Sequence, residues 1–137
     1  MNRNLLKSFL AIIGGVAVTS GLSIVTDLIL ERTGVFPSIG DQQEYGFHVW
    51  WMMLLALVYR NIYEVFGCYL IAKWAPNRPM FHAMIAGIFG LAVSIIGCVV
   101  MWDKSEPWYP IALAAFAIPC AWLGARIWIR QQARKIS

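Results

Sequence analysis

Ala83-Met-Ile-Ala-Gly-Ile-Phe-Gly-Leu-Ala-Val-Ser-Ile-Ile-Gly-Cys-Val-Val-Met-Trp102 runs for 20 residues without a charged side chain. A helix of that length, at about 1.5 Å per residue, is about 30 Å long, the thickness of the hydrocarbon core of a bilayer. Working outward, the charges cut the rest of the chain into pieces of the same kind. Nineteen residues separate Lys7 from Asp27, and 19 separate Glu106 from Arg126. A fourth apolar stretch, from Phe47 to Ala72, is interrupted by Arg60 and Glu64. The pattern predicts four transmembrane helices, about 5–30, 47–73, 80–102 and 108–130. Strand-like alternation is absent, and in lipid the backbone must satisfy its own hydrogen bonds, so helices are the remaining solution.

Composition agrees. Of 137 residues, 60% are hydrophobic and 13% charged, where soluble domains average roughly 45–50% and about 25%. Mean hydropathy is +0.65. A soluble domain and a disordered chain are both excluded, and the length suits a single transmembrane domain, 1–137. The links Lys73-Trp-Ala-Pro-Asn-Arg-Pro79 and Asp103-Lys-Ser-Glu-Pro107 are short. Short links force antiparallel neighbours, so the expected fold is all-α, a four-helix up-down-up-down bundle. Only 32–46 is long enough to act as an external lid or docking loop.

Eight basic residues fall on one side of this bundle: Arg3, Lys7, Lys73, Arg78, Arg126, Arg130, Arg134 and Lys135. Arg32 and Lys104 fall on the other, with Glu31, Asp41, Glu44, Asp103 and Glu106. This bias predicts cytoplasmic N and C termini. Trp50, Trp51, Trp102 and Trp108 mark the outer boundary, and Trp74 and Trp128 the inner one. The first apolar run is longer than a signal-peptide core and lacks a small-residue cleavage site, so an uncleaved helix is expected. The expected partner is the lipid bilayer. The basic tail meets anionic headgroups, and no nucleic-acid partner is expected.

Chemistry-bearing motifs are few. Cys68, Cys98 and Cys120 are odd in number and all intramembrane, which does not make a disulfide scaffold. His48 and His82 lie at opposite ends of their spans. No metal-ligand spacing, phosphate loop, nucleophile elbow or dinucleotide fingerprint is present, so no metal and no cofactor are expected. The informative segment is Tyr59-Arg-Asn-Ile-Tyr-Glu64. Arg60 lies near the bilayer midplane, where an ionised side chain costs at least about 2.5–3.5 kcal/mol, so it must face protein or water. Arg60 and Glu64 are four residues apart and share a helix face. Helical side chains lean toward their own N-terminus, which aims Arg60 at the depth of Asp27 on the first helix. The expected network is Asp27, Arg60, Asn61 and Glu64, with two carboxylates on one guanidinium.

Small residues recur at helical spacing in Ala86/Gly90/Ser94/Cys98, Ala117/Ala121/Ala125 and Ala17/Gly21. Such stripes let helices approach closely. They outnumber what four helices need, so a homo-oligomer or another membrane subunit is an expected partner, with Ala86/Gly90/Ser94 as its contact. Pro119, mid-span, removes one helical hydrogen bond and predicts a kink.

Tyr59-Arg60, Ala75-Pro-Asn-Arg-Pro-Met-Phe-His-Ala83, Trp108-Tyr-Pro-Ile-Ala-Leu113 and Ile118-Pro-Cys-Ala-Trp-Leu-Gly124 resemble a group of small four-helix bacterial membrane proteins of uncharacterised activity. That resemblance implies a bacterial inner-membrane location and carries over no functional residues. Arg60-Asn61-x-x-Glu64 is also similar to the second-helix motif of the MAPEG family of trimeric, glutathione-using membrane enzymes. Its flanks differ, because the loop 32–46 is acidic where that family has a basic one. Three functions follow in order: a non-enzymatic membrane protein whose polar network moves or senses a small solute or proton, an accessory subunit in which Arg60 is structural, and a MAPEG-like glutathione enzyme.

Overall fold

The computed structural model describes residues 3–46, 48–100, 102–104 and 106–136. It is all-α. Four long helices, α1 (Arg3–Arg32), α3 (Trp50–Trp74), α4 (Pro79–Val100) and α5 (Trp108–Ile136), form the bundle, and a short α2 (Ile39–Tyr45) lies between the first two. All four long helices are long and apolar enough to cross a membrane. Leu5, Phe9, Ile96, Val99 and many other large apolar side chains are exposed on the surface of the bundle, as expected where the surrounding solvent is lipid.

The boundaries differ from the sequence expectation in four places. The first helix is longer than 5–30 at both ends. The fourth runs six residues beyond 130, carrying Arg130 and Arg134 past the apolar span as a continuous helix, and it passes through Pro119 without interruption. The third span, expected to end at 102, ends at Val100. The second span, expected over 47–73, runs from Trp50 to Trp74, with Val49 at its N-cap; Phe47 itself lies outside the described residues.

The segment 32–46 is not a simple external loop. Gly34, at φ 80°, ends α1. The Val35 amide then bonds the Leu30 carbonyl at 2.9 Å, and both side chains pack on the same cluster, which is the arrangement of a Schellman cap. The turn drives Phe36, 5% exposed, into a core cluster with Met53, Ala56, Leu57, Tyr59 and Tyr109. Ser38 then caps α2, its side chain accepting the Asp41 amide at 3.2 Å. Tethered by Phe36, α2 lies over the end of the bundle away from the termini.

The helix order around the bundle is also not the simple square. The largest contacts are α3 with α5 and α4 with α5; α1 packs on α3, α3 touches α4 less, α1 touches α4 only lightly, and α1 touches α5 least. The second and fourth spans run parallel and press together, α4 packs chiefly on α5, and α1 leans on α3 alone, apart from α5 and barely touching α4. Glycines set the close crossings. A Cβ at Gly15 would lie 2.8 Å from the Gly67 carbonyl oxygen, and one at Gly124 would lie 2.8 Å from the Tyr69 amide nitrogen. Real Cβ atoms do not come that close, so side chains larger than hydrogen are excluded there. At the termini end a second core cluster gathers Cys68, Ile71, Ala72, Ala83, Ala86, Ala121 and Ala125. Between the two clusters lies a polar layer.

Candidate functional site: a cleft between α1 and α4

The polar layer begins on α3, where Tyr59 and Arg60 together grip Asp27 of α1. Arg60 Nη2 donates to Asp27 Oδ2 at 2.9 Å, and the Tyr59 hydroxyl donates to Asp27 Oδ1. One turn on, Thr26 donates to the Leu22 carbonyl, so the Tyr63 hydroxyl, 2.7 Å away, donates to Thr26. A further turn on, the Thr19 hydroxyl reaches both the Gly15 carbonyl at 3.0 Å and the Tyr63 carbonyl at 3.2 Å. These contacts form a polar seam along the α1–α3 crossing. The lean of Arg60 toward the N-terminus of α3 brings the guanidinium to Asp27. Its Nε is buried and without a hydrogen-bond partner.

The same lean carries the guanidinium away from Glu64, and this corrects the expectation of two carboxylates on one arginine. Glu64 forms no hydrogen bond or ion pair among the described residues. It faces α4 instead, where a Cβ on Gly90 would come within 3.3 Å of Glu64 Oε1. Asn61 also leaves the expected network. It is one residue on from Arg60, about 100° around the helix, and this turns it to α5, where its Oδ1 accepts from Cys120 Sγ at 3.7 Å.

Because α1 and α4 both pack on α3 yet barely touch each other, a cleft of about 730 Å³ remains between them, with α3 as its floor. Asp27, Arg60 and Glu64 line it, and so do Thr19, Ser20, Ser23 and Ser94. Tyr109 and Pro110 of α5 and Phe36, Ile39 and Gln42 from the α2 segment close its far end. The stripe Ala86/Gly90/Ser94 lines this cleft, and Ala86 also joins the termini-end core. At the termini end the two walls are tied. His82 Nε2 lies 2.7 Å from Ser8 Oγ, and its Nδ1 faces the Arg78 carbonyl at 3.0 Å. That carbonyl belongs to a residue held at φ 42° by the tight turn before Pro79. At the opposite end His48 Nδ1 lies 3.3 Å from Glu106 Oε1, joining the segment before α3 to the α4–α5 link.

Tyr59 and Tyr63 were not foreseen as polar partners. The signal for both is present in the chain: tyrosines at i and i+4 in mid-span, on either side of Arg60, are far from the interfacial position where the ring is usually placed. No group of three or more His, Cys, Asp or Glu side chains suited to a metal ion occurs among the described residues. The three cysteines are free, with Cys68 and Cys120 buried. Comparison with family models, curated proteins and solved structures finds no match to this chain.

Proposed function

We propose that this membrane protein holds a small solute or a proton in the cleft between α1 and α4, and that it moves or senses it across a bacterial inner membrane. The observation that carries the reading is Glu64: a carboxylate within the bundle, on the wall of a cavity, with no partner among the described residues. An ionisable group in a membrane interior is costly and normally marks a substrate or ion path. The Arg60–Asp27 pair is then a positioning element that holds α1 against α3 and keeps the cleft open. Both termini are cytoplasmic on the strength of the eight-to-two distribution of basic residues.

A second reading, a subunit that packs with copies of itself or with another membrane protein, is favoured by one feature of α1. Only Ala11 and Gly15 are fully buried along its 30 residues, and Ala17 and Gly21 stand exposed. One experiment separates the two. In reconstituted vesicles, Ser94→Cys is treated with a small membrane-impermeant methanethiosulfonate, and the modified site is read by mass spectrometry because Cys68, Cys98 and Cys120 are also free. Reaction at the rate of an exposed Glu44→Cys control is the expected result for a solute site. An inert Ser94→Cys in folded protein means a dry cleft and a structural Arg60, and favours the subunit reading.

A further inference from the structure

The charges lining the cleft are Asp27, Glu31, Arg60 and Glu64. Asp27 is engaged by Arg60, so the wall retains two uncompensated acids. Glu31 stands near the α2 end, and Glu64 lies about two turns deeper, beside Gly90. The cleft therefore selects for a positive ligand. A bare metal ion does not suit it, because a metal needs several hard ligands converging on one point, and no such cluster occurs among the described residues. The remaining walls are Ile24, Leu28, Phe89 and Val93, with the serine hydroxyls between them. An apolar wall with one carboxylate suits an apolar body with one positive charge. Its volume, about 730 Å³, falls within the usual range of roughly 300–1,000 Å³ for organic-ligand pockets.

The route of entry agrees. The described side-chain tie between α1 and α4 is Ser8–His82, at the termini end. Toward the α2 end the two helices part, and the open side of the cleft lies between two lipid-facing helices. A lipophilic cation concentrates in the bilayer interface and enters the water-filled cleft from that side.

We propose that the ligand is a monovalent organic cation with an apolar body, an amphiphilic ammonium or phosphonium, seated in the α1–α4 cleft with its charge at Glu64. This rests on reading the cleft as a solute site. The test uses the purified full chain in detergent and radiolabelled tetraphenylphosphonium as probe. Saturable binding is expected, with Glu64→Gln weakening it by about tenfold or more and Glu64→Asp retaining it, because removing one member of a desolvated charge pair is costly. Gly90→Leu, which places a side chain over the Glu64 carboxylate, is expected to weaken binding equally. In otherwise native protein, tetraphenylphosphonium should shield Ser94→Cys from alkylation, and neutral triphenylphosphine oxide should not. That comparison stands even where Glu64→Gln fails to fold. Equal binding by Glu64→Gln, equal protection by the neutral analogue, or no saturable binding at all overturns the proposal. The first two results assign the cleft to apolar chains such as lipid tails. If Ser94→Cys is water-reactive but the cation does not bind, the ligand class alone fails. An inert Ser94→Cys defeats the solute site itself.

Discussion

Asp27 is the residue on which the polar seam depends. Its two oxygens are divided between Tyr59 and Arg60, consecutive residues of α3. Removing the carboxylate leaves the guanidinium, whose Nε already lacks a partner, inside the bundle without a counter-charge. Asp27→Leu is therefore expected to cost about 3–5 kcal/mol, while Asp27→Leu/Arg60→Met is expected to cost much less, because an apolar pair carries no desolvation penalty. Unfolding in detergent, followed by circular dichroism, measures both. A double variant no more stable than the single one would mean that the pair contributes directional hydrogen bonds rather than mutual neutralisation. Glu64 lies outside this unit, so Glu64→Gln should leave the unfolding midpoint nearly unchanged.

At the scale of elements, association rests on close approach rather than on burial of apolar area, because lipid is as apolar as the helix faces it replaces. The α1–α3 crossing shows this. Gly15 and Gly67 meet through each other's carbonyl oxygens, and Thr19 sits directly over Gly67. Gly67→Ala is expected to force α1 away and to cost about 1–3 kcal/mol, the usual range for an overpacked contact. Gly21, on the same helix, has nothing within 4 Å of its missing Cβ. Gly21→Ala should leave the midpoint unchanged or raise it by the helix-propensity gain of about 0.5–1 kcal/mol. Thermal unfolding of the two variants side by side tests the contrast. A destabilising Gly21→Ala would show that this open face is covered by another protein.

For the whole molecule, four spans place both termini at one end of the bundle and α2 at the other. Orientation follows from the basic residues, which cluster at the termini end, with Arg126 stacked 4.7 Å over the Trp122 ring. Impermeant thiol labelling in intact cells should modify Glu44→Cys and spare Ala133→Cys. The opposite pattern would invert the molecule in the membrane and move the α2 segment to the cytoplasmic side. The unequal packing of the four helices has a functional consequence at this scale. With α4 packed on α5 and α1 on α3, α1 and α4 are tied at the termini end, and their separation elsewhere creates the cleft.

The number of spans and their approximate limits were legible in the amino-acid sequence, because the cost of placing a side chain in lipid is a local property of each residue. The Asp27–Arg60 contact was legible too, since depth follows from the rise per residue and direction from the lean of helical side chains. Helix rotation was not. A soluble helix shows its buried face by polarity, whereas here both faces are apolar. The side to which Asn61 turns, the exclusion of Glu64 from the arginine and the inward position of Ala86/Gly90/Ser94 all depend on rotation. So does the parallel contact of α3 with α5. Short links imply only that neighbours in sequence are antiparallel, and it is the fit of Gly124 against the α3 backbone that brings non-neighbours together. Phe36 entered the core for a related reason: Gly34 allows the chain to turn back sharply after α1, and where that turn points is decided by the cluster that receives the ring.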